Sequence, residues 1–106
     1  MKFILEESEL DINRGICVLY FYAPWLIYHK KMMAMFDKIM PKYNKIKFFG
    51  IDINYFKKYV MIYDVKSIPT VVIFYHGIEL KRITGICLTS ALKSIFIEIT
   101  SKFSMD

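Results

Sequence analysis

Seven consecutive residues, Ile16 to Tyr22 (ICVLYFY), carry no charge, and Pro24 follows shortly after. A run that is apolar at every position, not at alternate ones, fits a central strand covered on both faces. The period then changes. From about Tyr28 to Tyr43 the apolar positions Met32, Met35, Phe36, Ile39, Met40 and Tyr43 follow helical spacing, with Lys30, Lys31, Lys38 and Lys42 interleaved, which predicts an amphipathic helix. Pro41 lies in its last turn and lacks an amide proton, so it is expected to kink or end the helix.

Further switches of period continue the alternation. Ile46 to Ile53 reads as a second buried strand, Tyr55 to Tyr63 as a short helix, and Val71 to Tyr75 as a third strand closed by His76-Gly77. Glu79 to Thr84 returns as its hairpin partner, and Thr89 or Ser90 is the expected cap of a last helix with the stripe Leu92, Ile95, Phe96, Ile99 and Phe103. Before the first run, Lys2 to Leu5 reads as a short edge strand and Glu6 to Asn13 as a short helix ending before Gly15. Alternating strands and helices predict an α/β architecture.

At 106 residues the chain is expected to be one domain, 1–106, with 1–15 a short or trimmed first strand and helix and 16–103 the core. Hydrophobic residues make up 56%, which points to a densely filled core or to apolar surface left for a partner. The longest uncharged run, Ile16 to Tyr28, contains Pro24 and falls short of the ~18–20 residues that cross a bilayer, so no membrane span is expected. The opening MKFILEESEL turns acidic where a secretory leader would stay apolar, and the expectation is a cytoplasmic protein. Cys17 and Cys87 are too few and too far apart for a disulfide framework or a Cys-rich zinc site. His29, with no second His or Cys at ligand spacing, makes a poor metal site, so neither metal nor cofactor is expected.

The net charge of +5 is unevenly placed: Glu6, Glu7, Glu9 and Asp11 make the front acidic, while Lys30, Lys31, Lys38, Lys42, Lys45 and Lys47 surround the lone Asp37. Solvated lysines on a helix face explain most such zones, and no phosphate-cradling glycine loop or RNA-binding aromatic signature accompanies them, so nucleic acid is not an expected partner. Lys30 and Lys31 nonetheless oppose the dipole at the start of their helix, an opposition that a partner's carboxylate or phosphate would relieve.

Three local patterns sharpen this reading. Phe21 to Trp25 read FYAPW and run into a helix; YDVKSIPTVVIFYHG places an Ile-Pro peptide before a strand and a turn; Gly85 follows the last strand. In this order and at this spacing the chain resembles the thioredoxin superfamily, including protein disulfide isomerase domains, over about Ile16 to Phe103. The resemblance implies a thioredoxin fold: a central mixed β-sheet of four to five strands flanked by helices on both faces. It also implies that Pro69 is a cis-proline opposite the loop Trp25 to His29, leaving the Ile68 backbone open to pair with an extended peptide, with Gly85 facing the same groove.

The family's Cys-x-x-Cys is replaced by Leu26-Ile27-Tyr28-His29. By the resemblance, Leu26 stands where the attacking thiolate would be and His29 where the resolving cysteine would be; the buried acid of proton transfer falls on Tyr20 and its lysine partner on Gly50. None of these can perform the exchange. Cys17, nine residues before Leu26 in a strand rising ~3.3 Å per residue, is expected in the core far from the groove. Cys87, two residues past Gly85, is expected nearer the groove, where its first reading is a small buried hydrophobe and its second a remaining reactive thiol.

The functional expectation is therefore a redox-inactive module that lacks dithiol catalysis and binds a protein or extended peptide client through Trp25, Leu26, Ile27, Tyr28, His29, Ile68, Pro69 and Gly85. Two competing expectations stand beside it. One is a thioredoxin-type protein disulfide oxidoreductase working through the single thiol of Cys87; the other is self-association through the same apolar loop.

Overall fold

The computed structural model describes residues 1–103. Strand β2 (Ile16–Tyr22) is buried at all seven positions and forms the middle of a five-stranded sheet. It lies between β3 (Lys47–Asp52), which runs parallel to it, and β4 (Thr70–Tyr75), which runs antiparallel. Short β1 (Lys2–Phe3) pairs parallel with β3 at one edge, and β5 (Ile78–Thr84) pairs antiparallel with β4 at the other. The β4–β5 turn places His76 and Gly77 both at positive φ, 48° and 82°, the type I′ arrangement that matches the twist of a two-residue hairpin.

The two faces of β2 anchor two separate cores. Ile16, Val18, Tyr20 and Tyr22 pack with Met32, Met35, Phe36 and Ile39 of helix α1 (His29–Ile39) and with Leu92, Phe96 and Ile99 of helix α3 (Thr89–Lys102). Cys17, Leu19 and Phe21 turn to the opposite side, toward Tyr59 of helix α2 (Lys57–Ile62) and toward Val65, Val72 and Phe74. Burying each large apolar side chain of this kind is worth roughly 1.5–3 kcal/mol, so these two layers dominate the fold's stability.

Most elements differ from the sequence reading by one or two residues at an end, and three differences have clear physical causes. Helix α1 stops at Ile39, and Pro41 sits in a following 3-10 turn, Met40–Lys42, where its missing amide proton leaves no helical bond unmade. The helix expected over 6–13 shrinks to one 3-10 turn, Glu7–Glu9, because the Glu9 carboxylate folds back to accept from the Leu5 and Glu6 amides and no buried stripe extends it. Neither Thr89 nor Ser90 caps α3. The capping position is Leu88, whose extended backbone makes Thr89 the first helical residue, and no side chain caps this end.

Candidate functional site

At the C-terminal end of β2 the register sets Tyr22 opposite Asp52 and Phe21 opposite Thr70, which in turn faces Thr84. Several connections therefore meet at this end of the sheet, among them the loop from Ala23 into α1, the segment entering β4 through Ile68-Pro69, and the segment leaving β5 at Gly85. The Gly85 amide donates to the Pro69 carbonyl at 2.8 Å, tying the second to the third. Gly85 has φ +87° with open space where a Cβ would stand, so backbone conformation rather than crowding calls for glycine.

The first loop is wound by two consecutive turns, with the Leu26 amide donating to Ala23 and the His29 amide to Leu26, each at 3.0 Å. Its side chains divide sharply. Trp25 and Ile27 are 71% and 79% exposed and Tyr28 is 41% exposed, whereas Leu26 and His29 are half-buried. Ile27 therefore stands clear of the core, while Tyr28 is partly covered.

His29 closes an aromatic column instead of facing solvent. Its ring stacks on Tyr22 at 4.5 Å and lies parallel to Tyr20 at 5.8 Å, with Phe3 meeting Tyr22 edge-on at 5.6 Å. The Tyr20 hydroxyl lies 2.8 Å from His29 Nδ1. Tyr20 is fully buried, and this nitrogen is its hydroxyl's only partner among the described residues. With the imidazole neutral and its proton on Nε2, the O–H donates to Nδ1. Burial lowers the His29 pKa from its ordinary value, with the Asp52 carboxylate pulling the other way. Burial likewise pushes the Tyr20 hydroxyl well above the usual phenol range and raises Tyr22, to which Asp52 adds.

Gly50, opposite Tyr20 across β2 and β3, belongs to the same assembly. A Cβ built there would stand 2.6 Å from the Phe3 ring and 3.2 Å from the Met1 sulfur. The space beside Tyr20 is thus given over to aromatic packing, with no charged pair in it.

The Ile68–Pro69 peptide is cis, Pro69 is buried and Ile68 half-buried. Neither the amide nor the carbonyl of Ile68 has a hydrogen-bond partner among the described residues, while neighbouring Ser67 accepts from the Thr70 hydroxyl at 2.6 Å. Beside Ile68 opens an apolar pocket of 220 Å³ lined by Ile53, Val60 and Val65, with Lys66 and Ser67 at its margin. These lining residues escaped sequence reasoning. They lie on a strand exit, a short helix and a loop, and no period connects positions so scattered.

Both cysteines are free. Cys17 is completely buried on the α2 side, its thiol donating to the Asp11 carbonyl at 3.4 Å. Cys87 is half-buried against the α1–α3 core with its sulfur 3.9 Å from that of Met35, and burial raises both thiols above their ordinary pKa. Among the described residues no group of three or more His, Cys, Asp or Glu could hold a metal ion, and no helix is long and apolar enough to cross a membrane.

A five-stranded mixed sheet with these helices, converging loops and Ile-Pro entry to β4 defines a thioredoxin-fold protein. The thioredoxin family model matches residues 6–98, and the chain belongs to the thioredoxin family. It is 30% identical over 81 residues to the Dictyostelium discoideum protein named "Putative thioredoxin-5", covering 74% of this chain and 76% of that one. Thioredoxin-2 of Saccharomyces cerevisiae is 25% identical over 79 residues, with the same coverage of 74% and 76%. Among solved structures, oxidised thioredoxin from Plasmodium falciparum superposes with a TM-score of 0.82 at 21% identity, covering 92% of this chain and 96% of that one.

Proposed function

We propose that this chain is a thioredoxin-family protein that holds an extended peptide or protein segment without exchanging thiols with it. The observation that carries the reading is the open backbone of Ile68. Its amide and carbonyl have no partner among the described residues, and an added strand satisfies both at once. The pocket beside Ile68 suits one client side chain, and exposed Trp25, Ile27 and Tyr28 supply the aromatic and aliphatic area that anchors such contacts.

Chemistry at the positions of the family's two thiols supports the same reading. Leu26 has no nucleophilic atom, and His29 has its Nδ1 occupied by Tyr20. An oxidoreductase working through Cys87 would depend on a thiol whose burial suppresses the thiolate, the attacking species.

The test is capture of a permanently unfolded polypeptide with every cysteine blocked, such as reduced, carbamidomethylated α-lactalbumin, by wild type and by an Ile27→Ser/Tyr28→Ser variant. Saturable capture that weakens at least fivefold in the variant supports docking at this loop. Capture of equal strength by both proteins, or none by either, overturns it.

A further inference from the structure

The exposed loop does not end at Tyr28. Helix α1 begins at the next residue, and its solvent face carries Lys30, Lys31 and Lys38, all exposed, with Lys42 and Lys45 exposed just beyond. Residues 30, 34 and 38 are four apart and share one strip about 12 Å long, in which Ala34 leaves the surface open between two ammonium groups. None of these lysines has a carboxylate within 4 Å among the described residues, whereas Lys2, Lys58, Lys66 and Arg82 each do.

Four of the chain's acids are committed elsewhere: Glu7 pairs with Lys58, Glu9 with Lys2, Asp64 with Lys66 and Glu79 with Arg82, while exposed Asp37 is the one carboxylate on α1. The first turn of α1 holds no acidic residue and no side-chain cap, so Lys30 and Lys31 add positive charge at the positive end of the helix dipole. Lysines without a carboxylate partner among the described residues therefore adjoin the apolar loop, outnumbering the single Asp37 on the helix.

We infer that the client of this groove is an acidic segment: an extended peptide with an apolar centre that docks at Trp25, Ile27 and Ile68 and flanking Glu or Asp residues that meet Lys30, Lys31 and Lys38. The inference rests on the peptide-holding reading above and names the chemistry of what is held. An extended chain advances about 6.6 Å every two residues, so acids two and four positions apart match a strip of this length. An anionic lipid surface would also be drawn to exposed Trp25 beside lysines, but it has no use for the open backbone of Ile68 or the pocket next to it.

The probes are two fluorescein-labelled peptides with the same six-residue apolar centre, one flanked on each side by four glutamates and the other by four glutamines, titrated with the full chain at about 20 mM and 300 mM NaCl. The glutamate peptide is expected to bind about tenfold tighter at low salt, the gap closing at high salt because screening shortens the reach of exposed charges. A Lys30→Gln/Lys31→Gln/Lys38→Gln variant is expected to lose that gap while binding the glutamine peptide as wild type does, and Lys81→Gln, an exposed lysine on β5, is expected to keep it. Equal wild-type affinity for both peptides overturns the acidic preference while leaving the groove itself standing; binding of neither peptide overturns both. Tight binding to phosphatidylserine vesicles that the glutamate peptide does not displace would assign the lysine strip to membrane instead and overturn the inference.

Discussion

The Tyr20 hydroxyl and Nδ1 of His29 share a hydrogen bond of 2.8 Å, joining the middle strand to the first residue of α1 beneath the exposed loop. In this family that location serves proton transfer and sulfur exchange. Here it is an aromatic column closed by one hydrogen bond, a feature that holds the loop in shape.

The bond predicts an asymmetric mutational cycle. His29→Leu strands a buried hydroxyl and should cost about 1–3 kcal/mol, whereas Tyr20→Phe removes the hydroxyl itself and leaves a half-buried imidazole with access to water, costing about 1 kcal/mol. The double variant should be more stable than His29→Leu alone. Urea denaturation of the four proteins measures this; a double variant whose cost is the sum of the two single costs would show that the pair is not coupled.

Acidity should weaken the same lock. Burial holds the folded His29 pKa below its ordinary 6.5, so between these values the unfolded chain binds more protons than the folded one. This contribution to stability is complete above about pH 6.5 and is lost as pH falls through the folded value. The urea midpoint should drop between pH 7.5 and pH 5, and His29→Leu should remove most of that drop. Carboxylates held low by their partners, such as Glu79 beside Arg82, lose their contribution only in more acidic solution.

Much of this architecture is written in the sequence because burial imposes a period. The unbroken run Ile16–Tyr22 and the stripe Met32, Met35, Phe36 and Ile39 both fall in the core, and Cys17 is as buried as its place in the strand implies. Local patterns failed where long-range contacts decide. Thr89 looks like a cap, but the chain leaving Gly85 is already extended at Leu88. Tyr20, read as a poor substitute for an acid, gains its role only when His29 lies over it, and Gly50, read as a lost lysine, makes room for Phe3 from the far edge of the sheet.

That last contact gives a third prediction. Gly50→Ala must push the Phe3 ring off Tyr22 and should cost about 1–3 kcal/mol. In a Phe3→Ala background the same substitution should cost less than about 0.5 kcal/mol, since the obstruction has gone. Equal costs in the two backgrounds would mean that Phe3 does not occupy this space.

Arg82 steadies the segment leading to Ile68. Its guanidinium meets both oxygens of Glu79, at 2.8 and 3.0 Å, and donates to the carbonyls of Tyr63 and Asp64 at the end of α2, at 2.7 and 3.0 Å. Arg82→Lys keeps the charge but cannot span these acceptors, so it should cost about 1–2 kcal/mol and speed amide hydrogen exchange across residues 63–66 while leaving β2 protected. Unchanged exchange in that segment would assign Arg82 to the surface alone.

Grip without electron exchange is tested most directly by one paired measurement: titration of a disulfide-linked peptide into wild type and Cys87→Ser, following Trp25 fluorescence for binding and released thiol for chemistry. The expected result is the same dissociation constant for both proteins and no thiol released above the protein-free rate. Thiol release by wild type that disappears in Cys87→Ser would contradict it.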